Sequence, residues 1–457
     1  MRQQNIQHLY WRAGFGATPS QLNNLSNLDK HDVVNELFQN SSRFNPLEID
    51  TSDIEHFTVK SVYKDQSKRR EFRLISRQKL KTYNTLWVNR LVTTDEFLRE
   101  KMTLFWANHF VCRGNNIFYV KQYNNTLRNN ALGNFGDFVK AISKEPAMLK
   151  YLNNKQNRKQ KPNENFAREL MELFTLGEGH YTEEDIKESA RAFTGYNHNF
   201  EGEFVMKKHT HDYDFKTFFG HTGRYDGDDI IDIILEQKQC ARFICGKIYK
   251  YFVNDIINED RVEELATVFY NDYDVEKIMR HLFMSDWFYD EANIGSKIKS
   301  PIEFLVGMSR AVPVEFEKTK DVLKIQKLLG QILLSPPNVA GWKGGKSWID
   351  SNTIMLRLKL PSIILANAKI SIKEKGEFED SFEKYYSKKN KNRFVSVKID
   401  WDAFEKQYND SSFDELKHHL IIPKLSDGTE SYLKTLSQNS KRNFCVQLMS
   451  LPEYQMC

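Results

Sequence analysis

The sequence predicts a mainly α-helical, multi-helical globular fold with a small β-hairpin and an irregular His/Asp-rich loop near the middle. Three observations predict it. Apolar residues recur at helical spacing along most of the chain. Capping residues stand at the ends of these runs. Proline and glycine are scarce, 11 and 21 among 457 residues, too few for a chain built of turns. A hydrophobic content of 40%, with 32 Phe, 20 Tyr and 7 Trp, supplies ample core material and excludes a disordered chain.

Taken in order, Thr18-Pro19 reads as an N-cap and first helical residue. Residues 67–92 form a long, basic helical run with Phe72, Leu74, Leu80, Leu86 and Leu91 among its apolar members. Residues 95–110 form a second run that ends in Phe105, Trp106, His109 and Phe110. Further helices are expected over 118–130, 135–143 and 146–152. The clearest helix covers 163–176 and is stopped by Gly177, the residue type that ends helices in the left-handed conformation. Thr182-Glu183-Glu184-Asp185 caps the next helix, with Asp where a capping box usually has Glu or Gln.

Between Tyr196 and Gly223 the helical period vanishes, and alternation predicts a hairpin near 200–207 followed by the irregular loop. Helices resume at Asp226 and continue with short breaks to Gly330. Residues 334–348 are a Pro/Gly-rich loop carrying Trp342 and Trp348, and 351–366 are helical again. Residues 369–427 turn polar and read as a peripheral insertion; 440–449 form the closing helix. A chain this long exceeds one ordinary core. The expected division is an N-terminal helical subdomain (1–160), a central helical subdomain (161–368) with the candidate site and the Trp loop, and a polar insertion with the C-terminal helix (369–457).

Charge and cysteine usage narrow the function classes. The 66 basic and 61 acidic residues leave a net charge of +5, which does not mark a dedicated nucleic-acid binder. Only a local cluster would argue otherwise. The run from Lys60 to Lys81, with Lys68, Arg69, Arg70, Arg73, Arg77 and Lys79, is the one candidate; its ordinary reading is a solvated helix face, and no nucleic-acid partner is expected. The five cysteines are irregularly spaced and contain no CxxC pair, so they read as reduced, buried thiols. Residues 1–16 hold Arg2, His8 and Arg12 and no continuous apolar stretch, unlike a secretory signal. No run approaches a membrane span, and the expected location is cytoplasmic. Asp226-Gly227-Asp228-Asp229 lacks the loop of a calcium site and reads as a helix cap. No P-loop, GxGxxG, GxSxG or HExxH pattern occurs.

The most informative stretch is Asn163-Glu164-Asn165-Phe166-Ala167-Arg168-Glu169-Leu170-Met171-Glu172-Leu173-Phe174-Thr175-Leu176-Gly177. At helical spacing Phe166, Leu170, Leu173 and Phe174 form an apolar face. Asn165, Glu169 and Glu172 share the adjacent stripe, with Arg168 at its edge. Two carboxylates and an amide that converge in this way suit a helix-borne metal site or an acid/base pair. Two other readings stay open: a solvated face with an Arg168–Glu172 pair, and a buried polar network joining neighbouring helices.

In the enzymatic reading Glu169, Glu172 and Arg168 are the catalytic residues, and Asn165, Trp342 and Trp348 bind substrate. A divalent metal ion, if used, would take His211, His109, Glu169 and Glu172 as ligands. His209-Thr210-His211-Asp212-Tyr213-Asp214 supports that set, because an extended His-x-His places both imidazoles on one side; a surface loop is the ordinary alternative. Trp342 and Trp348 read equally well as anchors of a protein interface or as anchors of the loop into the core.

Several segments together resemble a known family. They are His8-Leu9-Tyr10-Trp11-Arg12-Ala13-Gly14-Phe15-Gly16, Phe105-Trp106-Ala107-Asn108-His109-Phe110, the 163–177 segment and Tyr181-Thr182-Glu183-Glu184-Asp185. They continue through Ala192-Phe193-Thr194-Gly195, His211-Asp212, Lys216-Thr217-Phe218-Phe219-Gly220 and the 337–342 loop. In this order they resemble the bacterial domain of unknown function 1800 family. The resemblance implies no particular activity. It does imply a partner from the domain of unknown function 1501 family, whose members resemble phosphatase-like and sulfatase-like enzymes.

Two expectations follow from that partner: a hydrolytic or oxidative enzyme acting on a saccharide or other polymer, or a non-catalytic binding or assembly partner of the phosphatase/sulfatase-like protein. Many members carry export signals, so co-export to the periplasm with a signal-bearing partner is the alternative location. The chain departs from the family pattern at Tyr151-Leu152-Asn153-Asn154, where an Asp is expected in the third position.

Overall fold

Local capping chemistry sets the frame. In the computed structural model, which describes residues 1–57, 64–366, 395–436 and 438–457, Thr18 and Gln21 form a reciprocal capping box at the start of Pro19–Ser26. Thr182 with Asp185 and Asp226 with Asp229 do the same for Glu183–Ala192 and Gly227–Leu235. Each box satisfies amides that a helix start otherwise leaves unbonded. The fold is mainly α-helical, and among the described residues the β structure is three two-stranded antiparallel sheets.

The predicted hairpin is present with its strands at Tyr196–His198 and Phe204–Met206, Asn197 opposite Val205. The loop behind it holds a second hairpin, Lys216–Phe218 with Val-free partner His221–Gly223. The third sheet joins Val314–Phe316 to Val397–Ile399, a pairing between distant parts of the chain that no local pattern announces.

The apolar core forms two large clusters. The first gathers residues from Ile6 to Tyr289, including Gln3–Arg12, Phe135–Lys144, Lys238–Phe252 and Val275–Met284. The second joins Gln66–Thr93, Pro301–Ala311, Thr319–Leu329 and Ser351–Leu365 to the C-terminal helix Lys441–Met449. Phe97–His109 belongs to both. Every residue from Phe97 to Trp106 is buried, so this helix is covered all round rather than along one face. Phe105 and Trp106 enter the first cluster, and Leu104 enters the second.

Two buried charges on that helix, Glu100 and Lys101, are paired, while buried Arg99 donates to the carbonyls of Ser41 and Arg128. Arg128 Nε meets Glu100 Oε1 at 2.6 Å with both side chains fully enclosed, and Trp87 Nε1 donates to Glu100 Oε2 at 3.1 Å. Lys101 bonds Glu303 and also donates to the carbonyls of Trp11 and Gly14. A buried carboxylate needs such partners to remain ionised. Lys101 and its neighbours hold the Glu303 carboxyl down to about 2 although burial opposes this.

The expected polar insertion, 369–427, falls only partly within the described residues. Residues 367–394 lie outside the described residues. From Val395 onward the segment is packed: Val395, Val397, Phe404, Tyr408, Leu416 and Leu420 all belong to the second cluster. Its charged residues occupy outer positions between these apolar ones, which makes the composition read as polar while one side is buried. Among the described residues no helix is long and apolar enough to cross a membrane.

Candidate functional site

The segment expected as one regular helix changes pitch. Asn165–Glu169 is α-helical and Leu170–Thr175 continues as a π-helix. Leu176 N bonds the Met171 carbonyl at 2.8 Å, five residues back. Gly177, at φ 86°, then ends the segment with a bond to the same carbonyl. Phe166, Leu170, Met171 and Phe174 are fully buried, and Phe174 meets Phe110 edge-on at 5.5 Å. Single π turns inside helices recur at functional sites.

The π turn leaves carbonyls that side chains from other helices satisfy. Lys247 Nζ donates to Leu173 O at 2.7 Å, His109 Nε2 to Phe174 O at 3.0 Å, and Gln239 Nε2 to Leu176 O at 2.9 Å. Because the carbonyl can only accept, His109 carries its proton on Nε2. Its Nδ1 then accepts from Lys247 Nζ at 3.3 Å. Burial and the Lys247 charge hold the His109 imidazole well below its usual pKa. Burial pushes the Lys247 amine down to about 8. His109, expected as a metal ligand, has both ring nitrogens engaged in holding the π turn.

Beside this turn lies the polar stripe. Glu172 accepts the Tyr181 hydroxyl at 3.0 Å. Arg168 forks onto Glu183 at 3.0 and 2.9 Å and reaches Glu164 at 3.3 Å. The Arg168–Glu172 pair of the solvated-face reading is therefore not formed; Glu183, the first residue of the next helix, takes the guanidinium instead. Glu169 is half-buried, and its pKa is raised by burial and by the Glu172 charge, with Arg168 opposing. The Tyr151 phenol, raised by burial and by Cys112, is close enough to feel Glu169 as well as Arg113. The structure thus groups Glu169, Glu172, Arg168 and Tyr181. Asn165 is exposed at the start of the helix, its amide bonded to Asn163 Oδ1 at 3.1 Å.

The histidine pair diverges. Lys208–Thr210 is a short 3-10 turn rather than an extended strand. It leaves His209 exposed and buries His211, whose Nδ1 donates to Thr194 O at 2.7 Å. Asp212 takes Arg191 Nε at 2.8 Å; burial opposes its ionisation, but Arg191 and the Asp214 amide hold its pKa below the usual carboxylate range. The His/Asp loop is in this way tied to Glu183–Ala192. Further ties run from the second hairpin, where Thr217 N donates to Glu188 and Phe219 N to Asp185.

The metal set expected from sequence does not converge. Among the described residues, the three-residue group whose ligand atoms lie within 4.8 Å of one another is Asp29, His31 and Asp32, all exposed. No three of Glu169, Glu172, His109 and His211 form such a group, so these side chains do not fit a shared divalent ion.

Trp342 is 7% exposed. Its amide donates to Asn108 Oδ1 at 2.7 Å, and its carbonyl accepts from Asn108 Nδ2 at 3.0 Å. It anchors the loop. Trp348, in the turn Gly345–Trp348, keeps partial exposure. The family-pattern departure at Asn153 also has a structural setting. Its φ is 58°, in the left-handed region that both Asn and Asp tolerate better than other side chains.

Two features escaped the sequence reading. One is Tyr181, which orients Glu172 and lies just past the Gly177 stop. The other is a cleft of about 760 Å³ bordered by Arg77, Lys81, Arg113, Lys150, Tyr119 and Tyr151. Its cations come from three separate stretches, and only the Arg77/Lys81 spacing is visible locally.

The family model described as "Protein of unknown function (DUF1800)" matches residues 8–456, and the chain belongs to that family. No curated protein and no solved structure matches it.

Proposed function

We propose that this member of the family is an enzyme of the acid/base kind, acting hydrolytically on a saccharide or other polymer through Glu169 and Glu172. One observation carries the reading: a half-buried Glu169 whose proton affinity is raised by burial and by Glu172, beside a Glu172 fixed by Tyr181. A carboxyl whose proton affinity is raised, beside a second carboxylate anchored by a hydroxyl, suits general acid/base work.

In this mechanism Glu169 protonates the leaving oxygen of the scissile bond. Glu172, held by the Tyr181 hydroxyl, takes a proton from the attacking water or stabilises developing positive charge. Arg168 is a positioning residue: its fork to Glu183 ties the stripe to the next helix. Asn165 and Trp348 retain exposed surface with which to meet substrate, whereas Trp342 is taken up by the fold.

The test is release of new reducing ends from a panel of oligo- and polysaccharides, with wild type compared to Glu169→Gln, Glu172→Gln and the exposed control Glu184→Gln. Loss of about a hundredfold or more in the first two variants, with folding and the control intact, is the expected result. Equal turnover in all four proteins would end this reading.

A second reading is a binding or assembly partner of a phosphatase/sulfatase-like protein of the domain of unknown function 1501 family. Tyr213 and Phe215 favour it, because they stand 55% and 62% exposed on the loop beside the second hairpin, and aromatic residues displayed to solvent are common interface anchors. Co-purification that depends on Phe215 would support this reading.

A further inference from the structure

The cleft between Gln66–Thr93 and Pro146–Tyr151 has one sign of charge. Arg77 and Lys81 stand four residues apart on the long helix, so they share a face, and Arg73 precedes them by one turn. Arg113 enters from the loop after Phe97–His109, and Lys150 from the short helix opposite. Like charges at this spacing repel, and nothing in helix formation requires them there.

Among the described residues the cleft lining contains no carboxylate. Among the described residues, none of Arg77, Lys81, Arg113 and Lys150 takes part in an ion pair, whereas Lys79 on the same long helix pairs with Asp53 at 2.8 Å. The comparison with a second cleft of about 800 Å³ is direct. There Lys417 is neutralised by Asp414 at 2.7 Å and by Glu430 at 3.5 Å. In the first cleft the positive field is left uncompensated, and concave walls focus such a field on whatever enters.

The remaining lining is mixed: Asn84, Asn115, Asn116 and Ser335 can bond a ligand, while Leu80, Leu323 and residues 332–334 form an apolar wall. Asn115 and Asn116 sit at the start of Ile117–Asn129, where the helix dipole adds positive potential. Tyr119 and Tyr151 form part of the wall, and Lys150 Nζ lies 4.4 Å from the centre of the Tyr119 ring. Partial desolvation in the cleft, together with Lys155 and Arg73, pushes the Lys150 amine down to about 8, while the residue keeps exposed surface.

We propose that this cleft is a binding site for an oxyanion ester, a phosphate or sulfate group carried on a polar small molecule or on the end of a chain. Arg77 and Arg113 supply planar forks that match tetrahedral oxyanions. Lys81 and Lys150 add charge from either side. A bounded space of this size favours a compact ligand over a duplex laid across the surface. The proposal stands on the cleft alone and does not depend on the Glu169/Glu172 mechanism.

The test is isothermal titration calorimetry at low ionic strength with glucose 6-phosphate, glucose 6-sulfate and uncharged glucose, in two buffers of different ionisation enthalpy at pH 8. The site predicts saturable binding of the esters, none of glucose, and at least tenfold weaker binding in Arg113→Gln and in Lys150→Gln. Arg113 and Lys150 are exposed, so both variants keep the fold. Arg242→Gln, which removes a cation paired with Glu259 elsewhere, leaves binding unchanged.

Binding also takes up a fraction of a proton at pH 8, because the anion raises the Lys150 pKa; this uptake disappears in Lys150→Gln. Tighter binding of the phosphate ester identifies a phosphorylated ligand, and equal or tighter binding of the sulfate ester identifies a sulfated one; either supports the site. Affinities that are the same in the Arg113, Lys150 and Arg242 variants would overturn it, as would duplex DNA binding that is tighter than either ester and indifferent to Arg113→Gln.

Discussion

His109 closes the π turn from outside its own helix, donating through Nε2 to the Phe174 carbonyl at 3.0 Å while Nδ1 accepts from Lys247. Nitrogens that could have bound a metal are thereby used to satisfy backbone. His109→Ala removes a donor from a buried carbonyl and opens space within the ring pile of Phe105, Trp106 and Phe110. The expected loss is about 2–4 kcal/mol of stability, read as a fall in the denaturation midpoint. An unchanged midpoint would show that His109 does not hold the turn.

Acid should destabilise the fold through its buried histidines, a trend that buried Glu145, raised to about 7, partly opposes. His8 and His109 are held well below their usual pKa by burial, and His198 and His419 are lowered to about 4 for the same reason. The unfolded chain takes up these protons near pH 6.5 and the folded chain only at lower pH. Stability is therefore full above about pH 6.5 and falls as pH drops toward 4. Thermal melts across this window check the slope, and His419→Gln should flatten it. A melting temperature independent of pH from 7 to 4.5 would contradict the assignment.

The enclosed Arg128–Glu100 pair gives a separable prediction. Arg128→Met leaves Glu100 buried beside Trp87 without its main partner and is expected to cost about 3–5 kcal/mol. Adding Glu100→Leu should recover much of that loss, because no charge then remains buried. Chemical denaturation of the two single variants and the double variant measures the coupling; strict additivity would mean that the pair is not interacting.

For the carboxylate stripe, the sign of the coupling is testable without a substrate. Glu172 raises the Glu169 pKa by its charge, so Glu172→Gln should lower it. Carboxyl-carbon NMR titration with selective labelling follows the change. If activity is found, the alkaline limb of its pH profile moves the same way, because that limb reports loss of the Glu169 proton.

Gly341 has a backbone requirement. Its φ is 74°, and a Cβ there would run into Asn108 Oδ1, the atom that accepts from the Trp342 amide. Gly341→Ala is expected to cost more than about 1 kcal/mol and to release the loop, shifting Trp fluorescence to the red. Full retention of the wild-type spectrum and stability would show that the Asn108 clamp tolerates rearrangement.

Much of the helical framework was legible in the chain itself. The Thr18, Thr182 and Asp226 caps, the Gly177 stop and the buried face of Phe166, Leu170 and Phe174 depend on neighbours within a few residues. Periodicity and capping are local, and a linear reading captures them. The grouping of Glu169 with Glu172 has the same origin.

The partners of these groups depended on tertiary structure. A local reading pairs Arg168 with Glu172, but Glu183 arrives from the next helix and presents two oxygens to the guanidinium. His-x-His spacing suggests a shared ligand, yet the 3-10 turn Lys208–Thr210 sends His209 to solvent and His211 to the Thr194 carbonyl. The π turn exists with Lys247, His109 and Gln239 positioned to bond its carbonyls. The basic cleft joins Arg77 to Lys150 across a large separation in sequence. Sequence by itself determined where helices begin, end and turn their apolar sides, because those choices are made within one or two turns. Tertiary structure alone decided which polar groups were consumed by the fold and which remained available for chemistry, because a hydrogen bond or ion pair needs a second group that only packing brings near.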